Sequence, residues 1–470
     1  MDGASTRAEY ADARFVRTQS ERLSTHNGVV DRIDSDVTEG IGVRVRVGGA
    51  WGFAAVRGTS KAAAEGALER ALSVAAAQPL VRGAALTAET PATGSYASPA
   101  ERDPFEVPLE EKLAVLAAAE EGLRSEREVA LTLARFQAVR MDQQFASTDG
   151  AFYEQVLTEC GGGVSAVAVN GDEVHTRSYP TSHGDHMEQA GYEGFLALDL
   201  PGEAPRVSAE AAALLSAPQC PSGPTTLILA GEQVGIQIHE SVGHAVELDR
   251  VLGWEASYAG TSFVRADALG SLRFGSDQMN VTADATLARG LGSYRWDDEG
   301  VESHSVPIVR EGVLTGFLSS RETAAEIGLE HSGGCLRADG FARQPIVRMT
   351  NVSLEPGDAG TLADLVADTE RGLLIDTNRS WSIDDRRLHF QFEGEAGWVI
   401  ENGELGRMVR NPSYAGVTPE FWASCDAICS ASEWKLHAVL DCGKGEPGQT
   451  AHVSHGAAPA RFRDVEVGVA

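Results

Sequence analysis

His239, Glu240 and His244, in the stretch HESVGH, have the types and closeness that metal-assisted chemistry needs. Imidazole nitrogen and thiolate sulfur bind Zn2+ well in a tetrahedral arrangement. A catalytic centre of this kind uses three protein ligands and leaves the fourth position for water. A carboxylate beside the first histidine can take that water's proton. Ile236, Ile238, Val242 and Val246 surround the pair with apolar groups, which suits a dry metal site. The motif alone leaves a plainer reading open, in which His239 and His244 are ordinary helix residues.

The spacing poses a geometric problem. Each residue of a regular α-helix turns by about 100°, so positions five apart diverge by roughly 140°. Two histidines at that separation cannot share an ion on an ideal helix. A π-type widening between Glu240 and His244 would bring both onto one face. Gly243 tolerates such distortion. The expectation is an irregular turn within a helix spanning 231–250.

These residues need a scaffold. A chain of 470 residues exceeds what one core usually serves, so two domains are expected. YADARFVRT and, after a polar stretch, GIGVRVRVGGAWGFAAV alternate as antiparallel strands do. In GVRVRV the valines face one way and the arginines the other, as in a half-buried strand. Residues 60–77 and 110–126 read as helices, 87–108 as a connecting loop, and 186–216 as mostly helical. SAPQCPSGP (216–224) is the best linker, with a buried strand just after it and many short strands beyond about 255. The fold class is therefore α+β. An N-terminal α/β domain with antiparallel strands and helices covers 1–220. A C-terminal β-rich domain, 221–470, carries the metal-binding helix.

A net charge of −29, from 39 basic and 68 acidic residues, disfavours nucleic acid and anionic membranes as partners. The first residues lack the apolar segment of a secretory signal, and no window reaches the ~18 apolar residues of a membrane span. Six cysteines (Cys160, Cys220, Cys335, Cys425, Cys429 and Cys442) in so long a chain do not make a disulfide scaffold. A cytoplasmic protein with reduced thiols is expected.

The stretch IHESVGHAVELD resembles the signature of the TldD/PmbA family of metallopeptidases, in which HExxxH precedes an acidic pair matching Glu247 and Asp249. ADARF with GIGVRVRVGGAWGFAAV resembles that family's N-terminal domain. WDDEGVESHSVPIVREGVLTGFLSSRETA (296–324) and RMTNVSLEPGD (348–358) resemble its C-terminal domain, and DCGKGEPGQ (441–449) its closing motif. The resemblance implies that His239, His244 and Cys442 bind one zinc per active subunit and that Glu240 is the catalytic base. Cys442 is too distant in sequence for spacing to reveal it. The resemblance also implies a closed cavity between two subunits that admits short unfolded peptides. The dimer would be a homodimer or a heterodimer with a metal-free relative, and this chain keeps the complete set of the active, TldD-type subunit.

The expected function is a zinc metallopeptidase acting on small or unfolded peptides. The alternative is a biosynthetic amidohydrolase acting on a modified peptide or small-molecule amide conjugate. A non-enzymatic role, as in relatives described as gyrase modulators, sits poorly with the complete His-Glu-His-Cys set. One segment departs from the family: Trp381, Arg386 and Arg387 in 377–397 stand where many members carry small residues, which points to an unusual substrate.

Glu247 and Asp249 are either acceptors for the histidines' other ring nitrogens or solvated helix-end carboxylates. The pairs His183/His186 and His452/His455 have a metal-compatible spacing that is frequent by chance. His437 reads as packed or superficial, and Cys425 and Cys429 as core thiols that could share a helix face. Asp297, Asp298 and Glu299 read as a solvated loop, with substrate contact as the alternative. Gly161–Gly163 reads as a flexible turn.

Overall fold

The computed structural model describes residues 4, 7–78, 85–182, 185–258 and 260–468. Strands β1 (Tyr10–His26) and β2 (Val29–Val47) form one long hairpin closed by Asn27 and Gly28, whose φ values are 51° and 76°. Positive φ at both central residues is the signature of a two-residue hairpin turn. The polar stretch is therefore strand, not connection. It lacks apolar alternation because residues 29–39 of β2 are exposed on both faces.

These strands join β3 (Ala50–Arg57), β4 (Thr93–Ala97), β5 (Val129–Ser147), β6 (Phe152–Asn170), β7 (Glu173–Tyr179) and β8 (His186–Glu188) in an eight-stranded sheet. β4 pairs in parallel with β6, so part of the expected loop at 87–108 is a strand. The glycines at 161–163 lie inside β6, not in a turn. A Cβ at Gly161 would strike the backbone of His186 in the adjoining β8.

Helix α1 (Lys61–Ala77) buries Ala67, Ala71, Leu72 and Ala75 against Val43 and Val45 of β2. On the other face of β2, Arg44 is buried too. It reaches Asp12 at 2.9 and 2.7 Å and stacks 4.5 Å from the Trp51 ring centre. The arginines of GVRVRV thus face a neighbouring part of the protein rather than water. Helices α2 (Leu109–Leu123), α3 (Tyr192–Leu196) and α4 (Leu200–Leu214) complete a second apolar cluster around Phe136 and Phe195.

Beyond residue 220, among the described residues, no strand exceeds 13 residues, against 19 in β2, β5 and β6. β10 (Val281–Asp284), β11 (Ser305–Arg310), β12 (Val313–Leu314) and β15 (Val352–Leu354) form one small sheet. β13 (Leu336–Arg337) pairs with β14 (Ile346–Val347). β9 (Gly223–Leu229), β16 (Arg371–Ile383), β17 (His389–Glu401), β19 (Ser413–Val417) and β23 (Ala460–Val467) pair in a ring, because β16 bonds both β9 and β17. β18 (Glu404–Val409) and β20 (Cys425–Ile428) extend that sheet. β21 (Lys435–Lys444) and β22 (Gln449–Ala457) form a separate ribbon. Cys425 and Cys429 are buried core thiols, but Cys425 lies on a strand rather than a helix.

The acidic run at 297–299 is buried, not solvated. Asp297 accepts the N–H groups of Glu299, Val301 and Leu336. Asp298 receives Arg14 at 3.0 Å and Gln143 from the eight-stranded sheet, and the Ala338 N–H at 2.6 Å. The run therefore joins the N-terminal sheet to the later part of the chain.

Removing one partner of a buried pair strands the other charge, at a cost of about 3–5 kcal/mol. Asp298→Ala should lower stability by about that much in urea titration. Adding Arg14→Met should recover part of the loss, because no guanidinium is then stranded.

Candidate metal centre

α5 (Gly231–Ile238) leaves β9 directly and carries the histidines. Its two glutamines are buried and pinned. Gln233 donates to the Tyr414 hydroxyl at 3.0 Å, that hydroxyl donates to Gln237 at 2.9 Å, and Gln237 donates to Ser241 at 3.1 Å. Trp422 adds a donation to Ser241 at 3.0 Å.

The expected helix over 231–250 is not continuous. Residues His239–Gly243 form a π turn in which the His244 N–H bonds the His239 carbonyl. A 3-10 turn follows over His244–Val246, and Glu247 then leaves helical geometry with ψ of 115°. The widened turn falls where the five-residue spacing requires it. Gly243 serves it through space rather than conformation: its φ is −52°, but a Cβ would strike the Met349 sulfur.

His239 and His244 stand 4.8 Å apart between ring centres, nearly perpendicular. The β21–β22 ribbon brings Cys442 to them, with Sγ 3.7 Å from His244 Nε2. The ligand atoms of His239, His244 and Cys442 all lie within 4.8 Å of one another, and all three residues are buried. Tetrahedral zinc, with bonds of ~2.1 Å to nitrogen and ~2.3 Å to sulfur, holds its ligand atoms about 3.4–3.6 Å apart. The sulfur–nitrogen spacing of 3.7 Å is close to that.

The hydrogen bonds around the trio fix its tautomers. His455 Nδ1 faces the Val352 carbonyl at 2.7 Å, so that nitrogen carries the proton. Burial holds the His455 pKa well below the ordinary histidine value, so the ring is neutral and Nε2 is an acceptor. His239 Nδ1–H donates to it at 2.7 Å, which leaves His239 Nε2 with a free lone pair. His244 Nδ1–H donates to Glu247 at 2.9 Å, with the same result. Burial also lowers both pKa values, His239 and His244, against the pull of Glu247. Burial alone would push the Cys442 thiol up, but His244 and Arg348 outweigh it and the net direction is down. Two neutral imidazoles and an acidified thiol fit a zinc ion chemically.

Glu247 and Asp249 are therefore buried partners, not solvated carboxylates. Lys444, fully buried, lies 3.4 Å from Glu247 and 2.7 Å from Asp249, and donates to the Val347 carbonyl. Burial would raise the Glu247 pKa, but Lys444 and His244 hold it well below the usual range. Arg348 donates to the carbonyls of Cys442 and Gln449, tying both strands of the ribbon. Of the three glycines after Cys442 in that stretch (Gly443, Gly445 and Gly448), only Gly445 takes a positive φ, of 83°.

Glu240 sits beside the trio, with Oε1 4.0 Å from His239 Nε2 and Oε2 2.6 Å from Arg387 Nη1. Sequence reasoning missed Lys444, Arg348 and the Glu240–Arg387 contact, and set His455 among chance pairs. The signals present were Lys444 inside the DCGKGEPGQ stretch and Arg387 inside the bulky, charged stretch at 377–397. His452 meets Glu159 at 2.6 Å, and His437 packs against Gly231. His186 is buried 3.6 Å from Glu188, whereas His183 lies outside the described residues.

Two imidazoles and a thiol converging around room for one ion, with a carboxylate alongside, are the equipment of a metallopeptidase. The chain belongs to the PmbA/TldD metallopeptidase family. The family model described as PmbA/TldA metallopeptidase C-terminal domain matches residues 222–469, the central domain 102–217, and domain 1 residues 11–75. A metalloprotease of Methanocaldococcus jannaschii is 30% identical over 455 residues, covering 95% of this chain and 94% of its own. A zinc metalloprotease TldD homolog of Saccharolobus solfataricus is 28% identical over 248 residues, or 53% of this chain and 52% of its own. The crystal structure of TldE from Thermococcus kodakarensis shares the fold, with a TM-score of 0.76 at 16% identity, covering 100% of this chain and 98% of that one. No helix among the described residues is long and apolar enough to cross a membrane.

His455→Ala should weaken zinc affinity by about 10–100-fold, since it removes the acceptor that orients His239. Competition with a chelator measures this, and unchanged affinity at intact fold would dismiss the role.

Proposed function

We propose that this chain is a zinc peptidase of the cytoplasm, with zinc held by His239, His244 and Cys442 and with Glu240 as the proton acceptor. Its substrates are small or unfolded peptides, admitted to a cavity between two subunits, the partner being a second copy or a metal-free relative. The division of the chain near residue 220 belongs to the same reading.

The convergence of the trio beside Glu240 carries this proposal. Zinc bound there would supply Lewis-acid polarisation to an amide carbonyl and to attacking water. Glu240 would take the water's proton and pass it to the leaving amine. The 4.0 Å separation of its Oε1 from His239 Nε2 supports that role. Glu247 and His455 would keep the two imidazoles facing inward. The trio and Glu240 are nearly enclosed within one chain, which favours small or extended substrates over folded proteins. The Arg387 contact favours keeping a second reading, a biosynthetic amidohydrolase acting on a modified peptide or amide conjugate.

Native mass spectrometry with metal analysis should find one zinc per active subunit, and Cys442→Ser should lose it. Glu240→Gln should keep the zinc while hydrolysis falls by about 10²–10⁴-fold. Full hydrolysis in that variant would remove Glu240 from its role. A wild-type protein without any transition metal would end the peptidase reading.

A further inference from the structure

We propose that Arg387 forms a carboxylate-binding subsite beside Glu240, so that this chain prefers substrates bearing a carboxylate close to the scissile amide. The inference rests on the peptidase reading and names the substrate feature that the same site selects.

Arg387 lies in the turn between β16 and β17. The turn is firmly built. Arg387 takes a φ of 61°, its N–H donates to the Asp384 carbonyl at 2.9 Å, and its carbonyl accepts the Thr418 hydroxyl at 2.8 Å. The Leu388 N–H is held by Asp384 Oδ1 at 2.8 Å. A neighbouring strap adds donations from the N–H groups of Thr261 and Phe263 to the Asp385 and Arg386 carbonyls.

From this fixed stem the guanidinium meets Glu240 through one nitrogen, opposite the oxygen that faces His239. The side chain is 16% exposed against 7% for Glu240, so the guanidinium is the more open of the two. Among the described residues, Glu240 Oε2 is its one hydrogen-bond acceptor, and the buried Nε has no partner. A guanidinium offers five donors in a planar fork matched to carboxylates, so most of this one is unused. Arg387 also lies close enough to Arg250 for their charges to repel. A further anion would ease that repulsion. In a chain of net charge −29, attracting an anionic group needs such a local cation.

The carboxylate can be a peptide's C-terminus or an acidic side chain, and the test separates the two. The full zinc-loaded chain is offered pentapeptides in three forms: free C-terminus, C-terminal amide, and C-terminal amide with Asp or Glu as last residue. Equilibrium retention is read by mass spectrometry alongside cleavage. Wild type should retain at least one carboxylate-bearing form about 10-fold or more over the neutral amide, as for a charged hydrogen bond. Arg387→Gln should erase the preference at unchanged zinc content, and Arg387→Lys should restore part of it. Equal retention of all three forms by wild type, or a preference that survives in Arg387→Gln, overturns the subsite. Retention without cleavage of any form would count against the peptidase reading and leave the subsite standing.

Discussion

The His244 N–H reaches past its usual helical partner to the carbonyl of His239, and the positions of both imidazoles follow from that one hydrogen bond. An α-helix would point the rings apart, whatever the rest of the fold did. A π turn is rare because it gives up regular packing, so it must be held from outside. Here the holding is specific. The Gln233–Tyr414–Gln237–Ser241 chain fastens the α5 side to the strand ring, and Met349 fills the space where Gly243 has no side chain. The chain leaves helical geometry at Glu247, which brings that carboxylate back onto the second histidine.

The charge distribution is inverted around this turn. The chain as a whole is strongly acidic, yet Lys444, Arg348 and Arg250 are buried close to the trio. Burying so many charges costs desolvation that pairing only partly returns. The arrangement contributes orientation more than stability. Lys444 keeps Glu247 ionised, Glu247 fixes the proton of His244, and Arg348 fixes the backbone on either side of the thiol.

Much of this was legible in local sequence. If both histidines were to share an ion, their five-residue spacing required a widened turn, and the alternation of GVRVRV marked a strand. What failed depended on partners far away in sequence. The burial of Arg44 could not be read without Asp12 and Trp51 beside it, nor that of Asp298 without Arg14. His455 looked like one of a chance pair because its partner, His239, sits in another element. Cys442 came from the family likeness, since a strand ribbon and not a helix delivers it. The polar hairpin hid for the opposite reason: strands wet on both faces carry no period-two signal.

That hairpin has a consequence for the behaviour of the protein in concentrated solution. β3 pairs with β2 only from Gly40 onward, so, among the described residues, 29–39 present one unpaired strand edge. An unpaired edge is a template on which other chains can add, and Val29, Val30, Ile33 and Val37 are exposed along it. Asp31, Asp34, Asp36 and Glu39 are interleaved with them, against a single cation, Arg32, which pairs with Asp34. Two molecules meeting edge to edge would bring these like charges together, so the arm carries its own protection against aggregation.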